Sequence, residues 1–248
     1  MNTGWKDRAE ELNAIWNSTG KTPEYRAAMV DLILKEIKED DTLTILDCGM
    51  GTGILYDLLP SEVKKNYYGV DFTEDMVKFV LNKYPNSYFR FNQMDLTDTQ
   101  RMSGVKSDIV VTQNVIQHIL LFQQALDNIF DSASHCVLLC ERTHKAQTLI
   151  YKYEPAVRWR FNINDMYRIL TYFADKHGYK GKVEILGHPK TTFDEPNMLT
   201  IFRVYRNKSK LATLKLSDFE YEPIHTNIKQ RDSWYKKKRA LLEAYFSR

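Results

Sequence analysis

The sequence predicts an α/β fold on a doubly wound, mostly parallel sheet, and three observations predict it. Short apolar segments of strand length alternate with helical patterns from Leu43 to Glu141. The first apolar segment runs into the glycine-rich turn Gly49-Met50-Gly51-Thr52-Gly53, at the carboxyl end of a strand, where open α/β sheets bind nucleotides. The last two strand-like segments have a loop between them and no helical pattern, so the sheet should end antiparallel.

The elements follow in order. Leu12, Ile15 and Trp16 share a face of a first helix, which breaks at Asn17-Ser18-Thr19-Gly20. Thr22 and Pro23 suit the cap and first turn of a second helix, carried by Met29, Leu32, Ile33 and Ile37 to Glu39-Asp40-Asp41. Residues 1–40 therefore form an N-terminal helical cap. Strands are expected at Leu43–Cys48, Tyr67–Asp71, Tyr88–Met94, Asp108–Thr112 and Cys136–Glu141. Helices are expected at Thr73–Tyr84, Val115–Phe130 and Asn162–His177, the last closed by Gly178. Lys182–Gly187 and Met198–Tyr205 complete the main domain, 41–206. A basic helical tail, 207–248, follows.

With 248 residues, 43% hydrophobic and 27% charged, the chain has an ordinary globular balance and room for one sizeable domain with additions. The N-terminus shows no secretory pattern and no apolar run nears the roughly 20 residues of a membrane span, so a cytoplasmic protein without membrane contact is expected. Cys136 and Cys140, on one strand, stand about 13 Å apart, too far for a disulfide; with Cys48 they read as reduced, buried thiols. The net charge of +3 hides an asymmetry: the tail has ten Lys/Arg against five Asp/Glu, and the remainder is net −2. The core lacks the basicity of a dedicated nucleic-acid binder.

The segment Leu43–Leu55 is an apolar strand, a glycine turn and a helix start. Its third glycine comes one residue too early for the dinucleotide pattern G-x-G-x-x-G, since position 54 is Ile. Asp47-x-Gly49-x-Gly51-x-Gly53 instead resembles motif I of the class I S-adenosylmethionine (SAM)-dependent methyltransferases. Four further segments carry the resemblance: Tyr68-Gly69-Val70-Asp71 with Phe72-Thr73-Glu74-Asp75-Met76, Phe91–Leu96, Ser107–Ile119 and the final strand pair. It covers roughly Leu43 to Arg206. The turn before the fifth strand departs from the family's Pro-Gly-Gly, reading Asp131–His135.

The resemblance implies a Rossmann-like seven-stranded sheet of order 3-2-1-4-5-7-6 with strand 7 antiparallel, and SAM as methyl donor, leaving S-adenosylhomocysteine (SAH). It implies cofactor contacts from Asp47, Gly49, Gly51, Gly53, Asp71, Phe72, Met76, Asp95, Leu96 and Gln113. Asp71 would accept from both ribose hydroxyls, Thr73 would cap the following helix, Asp95 would accept from the adenine amino group, and the Leu96 N–H would face an adenine nitrogen.

A sulfonium is a good leaving group, so positioning carries much of the chemistry and a base is needed mainly for a hydroxyl acceptor. His118, after the fourth strand, and Glu141 and His144, at the end of the fifth, are the catalytic candidates; capping or packing is the competing role for each. Tyr151, Tyr153, Trp159, Phe161, Tyr167, Tyr172 and Phe173 fill the crossover after strand five, as pocket wall or core. Arg158 and Arg160 suit an acidic group or plain surface, and Trp5, Trp16, Tyr25 and Arg26 suit a lid or simple helix docking.

The positions Thr112-Gln113-Asn114-Val115 lack the Pro-Pro-aromatic signature of base-amine methylation, and no cysteine lies near the fourth strand for cytosine-C5 chemistry. His and Cys show no metal-ligand spacing, so no metal is expected. Methyl transfer to an O or N atom of a small molecule, biosynthetic in character, is the leading expectation. A peptide, protein or RNA acceptor is the alternative, with Gln113–His118 resembling protein α-N-methyltransferases and the tail basic; a SAM-binding partner that does not methylate is the rival. Oligomeric state stays open.

Overall fold

The computed structural model describes residues 5, 7–17, 24–144, 148–152, 157–181, 183–186 and 198–207. All belong to one compact unit, 1–215; a second unit, 216–248, lies outside the described residues. So do Thr22 and Pro23, Tyr153, and all of the expected basic tail beyond Asn207.

Two helices come first, α1 (Ala9–Asn17) and α2 (Glu24–Glu39). The alternating portion follows as β1 (Ile45–Cys48), α3 (Ile54–Leu58), α4 (Ser61–Lys64), β2 (Tyr67–Asp71), α5 (Glu74–Lys83), β3 (Phe91–Gln93), α6 (Thr99–Met102), β4 (Ser107–Gln113), α7 (Phe122–Ser132) and β5 (Ala133–His144). Then come β6 (Leu149–Lys152), β7 (Arg158–Asn162), α8 (Ile163–Lys176), β8 (Val183–Ile185) and β9 (Met198–Tyr205).

The main sheet runs β3-β2-β1-β4-β5, all parallel, and continues through β9, antiparallel to β5, to β8. With β8 and β9 as the sixth and seventh strands, this is the expected order and the expected reversed strand. Among the described residues the sheet has nine strands, however, not seven. The hairpin β6–β7 is an addition, with β7 running parallel to the last residues of β5 (Thr143 beside Phe161, His144 beside Asn162). β5 is long enough to pair with β4 through Cys140 and with β7 beyond it.

The central strands are buried on both faces, as parallel strands between helix layers must be. Ile45, Ile109, Val111, Cys136, Leu138 and Cys140 pack with Met29, Ile33 and Ile37 of α2. All three cysteines are buried, and none is in a disulfide. α1 lies on α5, where Ala9 and Leu12 bury Met76, with Trp5 and Phe79 packed alongside. Ile15, expected on one face with Leu12, is 52% exposed, whereas Ala9 and Leu12 of the same helix are buried.

Other expectations change at their edges. The third strand is shorter than Tyr88–Met94, since Pro85 opens a 3-10 turn that runs to Arg90. The helix expected over Val115–Phe130 divides into a 3-10 turn, Ile116–His118, and α7. Thr73 does stand at the N-cap of α5 with extended backbone angles, but its side chain makes no capping bond. Asn162 caps α8, its Oδ1 accepting from the N–H groups of Asn164 and Asp165.

Candidate active site

β1 ends in a turn whose glycines all take positive φ: Gly49 at 82°, Gly51 at 56° and Gly53 at 75°. The Gly49 and Met50 N–H groups donate to the Val70 carbonyl, 2.8 and 3.0 Å, folding the turn back over β2. A Cβ on Gly49 would overlap the Val115 side chain, 2.8 Å from its Cγ1. The turn is therefore pressed directly against the exit of β4, and its inner side is bare backbone.

At the end of β2, Asp71 accepts from the Gly51 N–H at Oδ2 (2.9 Å) and from the Thr73 N–H at Oδ1 (2.8 Å). Burial raises its pKa above the ordinary value, against the pull of these N–H donors. Each carboxylate oxygen keeps a further lone pair, so the ribose role remains open to it. Phe72 beside it is 47% exposed, a large apolar side chain left at the edge of the turn. Gln93 of β3 donates to the Phe72 carbonyl, 3.1 Å.

One strand further, the Thr97 N–H and hydroxyl both bond Asp95 Oδ1, 2.8 and 2.7 Å, which fixes the carboxyl group while Oδ2 lies outside these bonds. Leu96 is buried, its carbonyl held by Asn128 Nδ2 at 2.8 Å. Bare glycine backbone, Asp71, Phe72 and Asp95 thus line the carboxyl ends of three adjacent strands, a donor and acceptor set that fits an adenosine moiety.

Two expected cofactor residues stand elsewhere. Asp47 is buried and accepts from the Tyr67 hydroxyl at 2.6 Å, so its carboxyl group is committed within the sheet. Burial pushes its pKa up to about 7. Met76 is buried under α1. Gln113 ends β4, half-buried, before Asn114, which takes a left-handed φ of 57°. A non-glycine residue there is strained backbone, of the kind that gathers at functional sites.

That strained turn is held by Glu141. Its Oε1 accepts from the Val115 and Ile116 N–H groups, each 2.8 Å, and its Oε2 from Gln117 N–H at 3.4 Å. Glu141 is fully buried, and burial pushes its pKa up to about 7 against the three donors. The geometry is that of an anchor for the exit turn, which corrects the expectation of a proton-transferring group. His144 is buried in β5 beside Asn162.

His118 closes the 3-10 turn that follows β4. Its Nδ1 lies 3.1 Å from the Val157 carbonyl, just before β7, and the Trp5 ring meets it edge-on at 4.8 Å. Burial, with the charges of Arg158 and Arg142, lowers its pKa to about 4. Trp5 belongs both to this contact and to the Met76 cluster, so the N-terminal segment spans from α5 to the exit turn.

The hairpin is what the sequence reading missed. Trp159 donates through Nε1 to the Ile119 carbonyl, 2.9 Å, meets Phe122 edge-on and stacks on Phe161. Trp159, Phe161 and Phe173 are thereby core, whereas Tyr172 is 62% exposed on α8. The alternation Arg158-Trp159-Arg160-Phe161 was the available signal, a half-buried strand in two-residue period. Among the described residues no group of three or more His, Cys, Asp or Glu could hold a metal ion, and no helix is long and apolar enough to cross a membrane.

A Rossmann-like sheet of this order, with a glycine turn and acids at successive strand ends, is the arrangement that the resemblance to class I SAM-dependent methyltransferases led us to expect. Residues 46–134, from β1 to the start of β5, match the family model described as a methyltransferase domain. Over that segment, which holds the glycine turn and the strand-end acids, this chain resembles methyltransferase domains. None of the curated proteins matches it. Solved structures share the fold: a SAM-dependent methyltransferase from Clostridium acetobutylicum (TM-score 0.53, 11% identity, 79% of this chain and 97% of that one). The N-terminal domain of EvdMO1, in the presence of SAH and D-fucose, gives TM-score 0.51 and 13% identity over 72% of this chain and 82% of that one. CurJ carbon methyltransferase gives 0.54 and 13% over 74% of this chain, which spans 54% of that protein.

Proposed function

We propose that this domain transfers the methyl group of SAM to an O or N atom of a small molecule. We infer further that the acceptor approaches over the carboxyl ends of β4 and β5, beside the exit turn. One observation carries the reading: the bare glycine turn, Asp71 and Asp95 converge on one edge of the sheet, pressed against a strained turn that Glu141 anchors. Asp71, Phe72 and Asp95 would hold the adenosine part of the cofactor, and the glycine backbone would admit its approach.

Bound SAM supplies a methyl group already activated as a sulfonium substituent. The chain's own residues need then orient the acceptor, exclude water and, for a hydroxyl, take a proton. Trp5 over His118 and the hairpin beside it narrow the approach to the exit turn, which favours a small acceptor. D-fucose accompanying SAH in the similar EvdMO1 domain accords with this. With Nδ1–H donated to Val157, the neutral His118 carries its lone pair on Nε2, where it would accept a hydrogen bond from the acceptor and orient it; a pKa lowered to about 4 makes it a weak proton acceptor.

Calorimetric titration with SAM, SAH and NAD tests the cofactor reading. Both sulfur compounds should bind and NAD should not, and Asp71→Ala should weaken SAM binding by about 1.5–3 kcal/mol. A folded protein that binds neither sulfur compound would sink the reading. A mass-shift screen of small molecules, peptides and RNA then identifies the acceptor; cofactor binding without methylation of any class would favour a non-methylating partner.

A further inference from the structure

Arginines gather beside the exit turn on one face of the sheet. The parallel register that sets Thr143 beside Phe161 also makes the preceding residues, Arg142 of β5 and Arg160 of β7, level neighbours. By strand alternation both side chains leave on the face that carries Cys136, Leu138 and Cys140, and Arg158, two residues before Arg160, shares that direction. α2 covers this face, and its first turn carries Arg26.

The four positions converge. The charges of Arg26 and Arg142 both act on Tyr25, and those of Arg142 and Arg158 both act on His118. Arg158 follows Val157, whose carbonyl faces His118 Nδ1 at 3.1 Å. Its Nε is buried and has no hydrogen-bond partner among the described residues. Glu141, the nearest acid along β5, leaves on the opposite face and is taken up by three backbone N–H groups. A buried guanidinium nitrogen without an acceptor is costly, and a planar oxyanion matches a guanidinium fork.

We propose that Arg26, Arg142, Arg158 and Arg160 form a binding site for an anionic group of the acceptor, a carboxylate or a phosphate monoester, so that the enzyme methylates acidic small molecules. The proposal rests on the methyltransferase reading above. The anion docks on the guanidinium groups, and His118 stands beside it at the acceptor atom.

The test titrates the SAH-saturated protein separately with acetate and with inorganic phosphate, following binding by calorimetry, in the wild type, Arg158→Gln and Arg168→Gln. Arg168 is exposed on α8 and serves as the control. Saturable binding of either anion, weakened roughly 10- to 100-fold in Arg158→Gln and unchanged in Arg168→Gln, is expected. Tighter acetate assigns a carboxylate, and tighter phosphate a phosphate ester. Binding of neither anion, or equal binding by Arg158→Gln, overturns the proposal, as does a single-stranded RNA oligomer that binds far more tightly through the same arginine. Should Arg158→Gln fail to fold by circular dichroism, Arg142→Gln takes its place with the same expected loss. If the wild type binds no SAH, the methyltransferase reading fails instead, and titration of the SAH-free protein still decides the anion site.

Discussion

At Gly49 two demands meet on one residue. The backbone stands at φ 82°, and the space where a Cβ would sit already holds Val115. Gly49→Ala should therefore cost roughly 2–4 kcal/mol, from the left-handed conformation and the overlap together. Adding Val115→Ala removes the overlap but not the backbone penalty, so urea unfolding of the double variant should recover part of the loss. Strictly additive losses would mean that Val115 is not what excludes the side chain. The same reasoning separates the acids: Asp71 and Asp95 are fixed by one or two local N–H donors and remain at the strand ends, whereas Asp47 is consumed by Tyr67.

Among the elements, the exit turn of β4 depends most on a distant residue. Three N–H groups of Val115–Gln117 point at one carboxylate, 24 to 26 residues away on β5. Glu141→Gln keeps the shape but turns an NH2 group toward backbone N–H donors in place of an acceptor oxygen, and should cost about 1–3 kcal/mol where the wild-type side chain is protonated. The folded protein holds the Glu141 proton more tightly than the unfolded chain, its pKa being raised from 4.5 to about 7. That contribution to stability is full below about 4.5 and is lost as pH rises through about 7. The advantage of wild type over Glu141→Gln in melting temperature should thus shrink across this window; a constant gap would show that Glu141 titrates as an ordinary carboxylate.

For the molecule as a whole, stability should be graded from the sheet centre outward. β1, β4 and β5 are paired on both sides and covered on both faces, while the β6–β7 hairpin joins β5 through two residue pairs only. In native-state hydrogen exchange the central strands should protect their amides longest and the hairpin should open first. SAH should slow exchange at residues 49–53 and 71–73. Hairpin amides as slow as those of β4 would mean that β6 and β7 belong to the central core and not to a separately opening wall.

The sequence by itself determined the parallel sheet, its reversed last strand, and the placing of a glycine turn and two acids at the ends of β1, β2 and β3. These rest on local signals: apolar runs of strand length, glycines that alone tolerate the turn, and acids placed immediately after strands. Tertiary structure decided the rest. Whether Glu141 is a base or an anchor depends on where the Val115–Gln117 N–H groups lie, and no periodicity in β5 records that. Whether Arg158 and Arg142 are solvated or gathered depends on the register of β7 against β5, and Trp5 reaches His118 only because α1 docks on α5. Such contacts join residues far apart in the chain, so their energies are written in the packing and not in the local pattern that a sequence displays.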